Sequence, residues 1–135
     1  MKIGFTCSAF DLFHAGHVDM LRVCKEHCDH LIVGLHCDPS QERPSKNKPV
    51  QSVFERYILL RGSKYVDEII PYETEKDLYN LLASQKIDVR FLGEEYVNCN
   101  VTGQQLCIDN GIKLIYIKRK HDFSSSELRK RIKNG

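Results

Sequence analysis

A single α/β domain built on a parallel sheet is the architecture that this sequence predicts, and three observations predict it. Short apolar runs alternate with helical stretches of about ten residues along the whole chain. The run Leu31-Ile-Val-Gly-Leu35 is continuous rather than alternating, the pattern of an interior parallel strand covered on both faces. The 135 residues, 41% apolar and 28% charged, suit one core of ordinary size. A Rossmann-like sheet of about five strands, with helices on both faces, accommodates all of the alternating segments.

Taken in order, Lys2 to Cys7 reads as the first strand, and Ser8 to Gly16 as a polar, glycine-containing turn. Val18, Leu21, Val23 and Cys24 then give a helix over Val18 to Cys28 its apolar stripe. Residues 38–51 are polar and proline-punctuated, a loop that carries Lys46 and Lys48. Ser52-Val-Phe-Glu55 has capping-box spacing, with Phe54, Tyr57, Ile58, Leu59 and Leu60 assigned to the buried side of the helix that follows. Gly62 lies near the end of that helix. Val66 to Ile70 reads as a strand that stops before Pro71, and Glu75 to Gln85 as a helix with Leu78, Leu81 and Leu82 inward. Val89 to Leu92 is a strand ended by Gly93. Thr102 is placed to cap a short helix, and Ile112 to Ile117 is the last strand. Ser124-Ser-Ser-Glu127 repeats the capping spacing and opens a basic helix from Ser125 to about Lys133.

Charge is unevenly spread. The net charge is +2, yet residues 118–133 carry seven Lys or Arg against two acids. One basic helix suits a local anionic ligand such as a nucleotide, and it lacks the extended basic and aromatic surface of a nucleic-acid module. No run reaches the roughly 20 apolar residues of a membrane helix, so no membrane insertion is expected. The N-terminus has no signal-peptide pattern, and none of the six cysteines forms a CxxC. Reduced thiols in a cytoplasmic protein follow as the expectation.

The familiar phosphate loops are missing: neither GxxxxGK[ST] nor GxGxxG occurs. Side chains must then hold phosphate. The sequence offers His14, His17, Lys46, Lys48, Arg56, Lys64 and Arg119, with the N-termini of the first and last helices. Imidazoles donate hydrogen bonds to phosphate oxygens, and lysine is a mobile point charge that follows charge as it shifts. Such groups suit phosphoryl or nucleotidyl transfer, where catalysis is largely positioning and stabilisation of developing negative charge. A rival reading has His14 and His17 share a metal ion with Cys7 or Asp11, but no complete zinc pattern follows and the metal stays unassigned. Phe10 and Asp11 also suit plain core and turn roles.

At Ser8-Ala-Phe-Asp-Leu-Phe-His14-Ala-Gly-His17 the pattern resembles the first motif, GxFDxxHxGH, of the HxGH nucleotidyltransferase superfamily. Lys46-Asn-Lys-Pro-Val50 with Glu55-Arg56 resembles the lysine loop and ER helix of its cytidylyltransferase branch. Lys64-Tyr-Val-Asp-Glu-Ile-Ile70, Phe91-Leu-Gly-Glu-Glu-Tyr96 and Arg119 with Phe123-Ser-Ser-Ser126 are similar to its remaining motifs. In length the chain resembles the glycerol-3-phosphate cytidylyltransferases, which are homodimers.

The resemblance implies CTP as donor, Mg²⁺ as helper, and a small phosphorylated alcohol as acceptor: glycerol 3-phosphate first, phosphoethanolamine or phosphocholine next. It implies that His14, His17, Lys46 and Arg119 are catalytic. Ser8, Ala9, Phe10, Asp11, Lys48, Arg56, Lys64, Gly93, Glu95, Ser124 and Ser125 would bind nucleotide or substrate, with Arg56 and Lys64 helping to neutralise phosphates or fix the loop. The alternatives are an adenylyltransferase of the same superfamily acting on a sugar phosphate or pantetheine phosphate, and a catalytically weak nucleotide-binding or dimerisation domain. The lysine loop and ER helix favour CTP over ATP. Ser8 stands for the motif's first glycine and Asp122 for a later one.

Overall fold

A computed structural model describes residues 1–119 and 123–135. Its strands are β1 (Ile3–Ser8), β2 (His30–His36), β3 (Glu68–Tyr72), β4 (Val89–Gly93) and β5 (Lys113–Ile117). The helices are α1 (Ala15–Glu26), α2 (Val53–Arg61), α3 (Glu75–Ser84), α4 (Gln104–Asp109) and α5 (Ser125–Asn134). Every strand pairing is parallel, in the order β3-β2-β1-β4-β5. The five-stranded parallel sheet with helices on both faces is therefore the fold.

Burial explains the apolar patterning. Leu31, Val33 and Leu35 of β2 pack on one face with Leu21 and Cys24 of α1 and Leu60 of α2. Ile32, one residue out of phase, packs on the other face with Phe5 and with Leu78, Leu81 and Leu82 of α3. A strand buried on both faces has no room for a polar alternation. Each fully buried leucine contributes on the order of 2 kcal/mol through the apolar surface it withdraws from water.

Four details depart from the sequence expectation. Pro71 lies inside β3, which is tolerated because β3 is an edge strand with no neighbour on its outer side. On α2, Phe54 is 72% and Ile58 52% exposed, while Arg56 and Leu60 are buried. The inward face of that helix holds an arginine that apolar periodicity assigns to solvent. α1 begins at Ala15, ahead of the expected Val18, because histidine side chains cap it. α4 is preceded by Gly103 at φ 76°, and the Thr102 hydroxyl donates to Glu75 at 2.9 Å instead of capping. Among the described residues, no helix is long and apolar enough to cross a membrane.

The topology fixes where a ligand sits. From β1 the chain runs outward through β2 and β3, then returns to lay β4 and β5 on the other side. Loops diverge at the carboxyl ends of β1 and β4, and that divergence opens a crevice.

Candidate active site

A cavity of about 440 Å³ lies at the carboxyl ends of β1 to β4. Ser8, Ala9 and Phe10, His17, Lys46 and Ser125 line it. The expected site therefore draws together the β1–α1 turn, the lysine loop and the last helix.

The β1–α1 turn is strained. Phe10 and Leu12 have φ of 51° and 52°, a left-handed conformation that costs a non-glycine residue on the order of 1–3 kcal/mol. Neighbouring bonds hold it. Asp11, 7% exposed, accepts from the Val50 and Gln51 backbone amides at 2.8 and 3.0 Å, and Leu12 N donates to Gln51 Oε1 at 2.8 Å. Asp11 also pairs with Arg129 of α5 at 2.6 Å, and Ser125 Oγ donates to the Asp11 carbonyl at 2.6 Å. Asp11 thus shapes the turn as expected, and it does so by joining three segments distant in sequence. Ser8 is an exposed residue at the end of β1 and has no positive φ, so its side chain enters the wall without backbone strain.

The two histidines form a reciprocal cap. His14 Nδ1 accepts from Gly16 N at 3.0 Å, and His17 Nδ1 accepts from His14 N at 3.2 Å. A backbone amide only donates, so Nδ1 of each ring is unprotonated and each neutral ring carries its hydrogen on Nε2. The rings stack at 3.8 Å, and His17 is further held by stacking on Phe13 and edge contact with Phe10. Burial pulls His17 down to about 3, with Asp11 opposing the shift and the Arg119 charge adding to it. His17 is therefore a neutral hydrogen-bond donor at physiological pH. His17 lines the cavity at the N-terminus of α1, a position suited to phosphate, and His14, stacked on it, is not among the lining residues.

Other expected residues are placed differently. Arg56 does not touch the cavity: its guanidinium donates to the carbonyls of Gln51, Ala9, His36 and Cys37 at 2.5–3.1 Å. It clamps the ends of β1 and β2 to the start of α2, and of the two roles the resemblance implies, neutralising phosphates or fixing the loop, these bonds match the second. Lys64 precedes β3, at the opposite end of the sheet, with its ammonium 5.3 Å from the Tyr65 ring centroid. That position is incompatible with the expected phosphate contact. Lys48 is exposed and outside the cavity wall. Glu95 is exposed and folds over Gly93, whose Cα has room for it only because a Cβ there would lie 2.4 Å from the carboxylate. Neither residue lines the cavity. Arg119 bonds the Phe123 carbonyl and accepts a place beside Glu94, whose carboxylate takes its backbone N–H at 3.3 Å. Ser124 caps α5, its Oγ accepting from Glu127 N at 3.0 Å. The substitution of glycine by Asp122 lies outside the described residues.

Sequence reasoning missed His36, Tyr72, Arg90 and Arg43 of the cavity wall, and named Cys7 beside them only as a possible metal ligand. Cys7, His36 and Arg90 sit in or beside strand segments that read as core. Only the presence of His and Arg at strand positions signalled them.

The metal-sharing reading gains no support from this geometry, in which both Nδ1 atoms are engaged in capping and Asp11 is engaged by amides and Arg129. Among the described residues, no group of three His, Cys, Asp or Glu is arranged to hold a metal ion. These residues do not form a protein-built magnesium cage. Mg²⁺ commonly reaches such sites on substrate phosphates.

Comparison with known proteins places this geometry in a family. The model of the cytidylyltransferase-like family matches residues 5–131. The chain belongs to that family. Within it, the bifunctional protein HldE of Rhodospirillum rubrum is 33% identical over 136 residues, all of this chain and 27% of that protein. HldE of Nitrobacter winogradskyi is 35% identical over 132 residues, 97% of this chain and 27% of that protein. The chain spans about a quarter of the length of these curated relatives. The crystal structure of a lipopolysaccharide core biosynthesis protein from Thermoplasma volcanium superposes with a TM-score of 0.70 at 24% identity, over 91% of this chain and 99% of that one, and shows the same fold.

The relatives overturn one expectation. They are HldE proteins rather than glycerol-3-phosphate cytidylyltransferases, so CTP as donor and a small phosphorylated alcohol as acceptor are withdrawn. The structure shows why the sequence misled. Arg56 of the ER helix spends its donors on backbone carbonyls, so that motif reports the family fold and says nothing about the base of the nucleotide.

Proposed function

We propose that this chain transfers an adenylyl group from ATP to a sugar phosphate and releases pyrophosphate. The observation that carries the chemistry is the capped histidine pair, two neutral imidazoles whose Nε2–H groups are fixed by helix geometry. The choice of ATP and a sugar phosphate rests on the similarity to HldE proteins over the whole chain.

In the proposed reaction a phosphate oxygen of the acceptor attacks the α-phosphorus of ATP. A new phosphorus–oxygen bond forms, and the bond between the α-phosphorus and the bridging oxygen breaks. Pyrophosphate leaves with that electron pair, and no deprotonated protein nucleophile is needed. His17 and His14 donate to oxygens on which negative charge builds, an effect worth most in a pocket that excludes water. Lys46, exposed at the rim, follows the charge from acceptor phosphate to leaving group. Ser125, tied to Asp11, holds the N-terminus of α5 against the same space. Mg²⁺ bound to the triphosphate supplies charge neutralisation. Six unpaired thiols support a reducing, cytoplasmic setting.

The test is pyrophosphate release from purified protein with ATP, Mg²⁺ and a panel of sugar phosphates. Release that requires both ATP and one class of sugar phosphate is expected. No release from any pair, with nucleotide still bound, contradicts the proposal.

A further inference from the structure

The loop that carries Lys46 is tied down on both sides of that lysine. On one side the Val50 and Gln51 amides donate to Asp11. On the other, Asp38 opens a 3₁₀ turn over Pro39–Gln41, its Oδ1 accepting from Ser40 N and Ser40 Oγ at 3.0 and 2.6 Å. Arg43 N donates to the Pro39 carbonyl at 3.0 Å, and the Arg43 carbonyl accepts from Lys46 N at 2.8 Å. The backbone of Lys46 therefore takes its position from Arg43.

Arg43 is held in turn by Glu75. Its Nη2 lies 2.7 Å from Glu75 Oε1. The second carboxylate oxygen, Oε2, accepts from Thr102 Oγ1 at 2.9 Å, and the Thr102 carbonyl accepts from Nη1 of Arg90, buried in β4, at 2.6 Å. Glu75 N donates to Glu42 Oε1 at 2.8 Å. The start of α3 is already capped by Thr74 in a box with Asp77, so the Glu75 carboxylate is free of that task. One carboxylate thus joins the lysine loop, the first turn of α3 and the segment before α4. Arg43, Glu75, Arg90 and Thr102 all line the cavity, as Lys46 does.

An ion pair whose side chains are 46% and 24% exposed contributes little when both partners must be ordered to form it. Here the carboxylate is ordered beforehand by α3 and by Thr102, so only Arg43 loses freedom. From this arrangement we infer that Glu75 is a positioning residue, which clasps Arg43 and so holds Lys46 at the rim of the cavity. A lysine on a free loop must be ordered in each turnover, whereas one on a clasped loop is already in place. The inference deepens the adenylyl-transfer reading and rests on it for the task of Lys46. Glu75 acts through Arg43 and Lys46 and touches no reacting group.

Two measurements test the clasp. Trypsin reads the loop without turnover. Arg43 precedes Pro44 and Lys48 precedes Pro49, bonds that trypsin resists cutting, so Lys46–Asn47 is the susceptible bond in residues 38–51. Cleavage there under native conditions, identified by mass as fragments 1–46 and 47–135, is expected to be about three- to fivefold faster in Glu75→Gln and in Arg43→Gln. Arg43→Lys, which keeps the cation, is expected to return close to the native rate. Kinetics read the consequence. With ATP and the sugar phosphate that supports turnover, Glu75→Gln is expected to lower kcat on the order of tenfold and to move the KM for ATP less than about twofold. In a Lys46→Met background the same substitution is expected to lower kcat less than about twofold, because the group it positions is gone.

Thermal melting checks folding, and Arg43→Gln, a change at a half-exposed side chain, serves the comparison if Glu75→Gln does not fold. Equal cleavage of the native chain and the glutamine variants overturns the clasp. A full tenfold loss from Glu75→Gln without the Lys46 ammonium overturns the positioning role. A chain that releases no pyrophosphate overturns the adenylyl-transfer reading instead; faster cleavage of the variants then still upholds the clasp, and equal cleavage overturns it.

Discussion

Asp11 and Arg129, 118 positions apart, meet at 2.6 Å in the wall of the cavity. This pair closes the site, because Asp11 also fixes the strained turn and the start of the α2 segment. Asp11→Asn keeps the shape and loses the charge. A stability loss of about 2–3 kcal/mol by urea denaturation is expected, because the pair is largely withdrawn from water. A rise in the nucleotide KM should accompany it, since Ser125 depends on the same turn.

His14→Asn separates capping from catalysis. Asparagine is among the best N-cap residues, so the helix and its melting temperature should hold. The Nε2–H donor is lost, and kcat should fall about 100- to 1000-fold, the usual effect of removing one donor to a developing oxyanion. An unchanged rate would make the histidine a cap and nothing more.

His17→Gln makes the corresponding test at the third helical position, where glutamine completes a capping box. It also carries a pH signature. The folded ring protonates only near about 3, whereas an unfolded histidine does so near 6.5. The unfolded chain therefore binds the extra proton first as pH falls, and this stabilisation is complete above about 6.5 and lost progressively below it. The difference in unfolding free energy between native chain and variant should change by about 1.4 kcal/mol per pH unit between roughly pH 6 and 4. A flat difference across that range would contradict the assignment.

Arg56→Met should be among the most destabilising single changes, at about 3–5 kcal/mol in denaturant unfolding, because it strands four carbonyls. The ratio of ATP to CTP use should not move in any folded fraction. Lys64→Ala should leave stability within about 0.5 kcal/mol and turnover unchanged, because the side chain is exposed at the far end of the sheet.

The fold was legible because its signals are local. The unbroken run of β2, the leucine stripe of α3 and the Ser52 box each report one element, and each is found. The site was legible where the chain brings its own residues together, as from Ser8 to His17. It was not legible where strands juxtapose single residues from distant segments: Cys7, His36, Tyr72 and Arg90 share a wall only once the sheet order is set. The start of α1 was hidden because capping rules look for Ser, Thr, Asp or Asn, and here imidazoles do that work. The burial of Arg56 was hidden for a related reason, since a buried arginine bonded to carbonyls cannot be told from a solvated one by spacing.

The most direct test of the adenylyl-transfer reading is a competition. Equimolar ATP and CTP are incubated with the protein, Mg²⁺ and the sugar phosphate that binds it, and the product is identified by mass. An adenosine diphosphate sugar as the dominant product is the expected result. A cytidine diphosphate product, or a product that forms equally well with glycerol 3-phosphate, would contradict it.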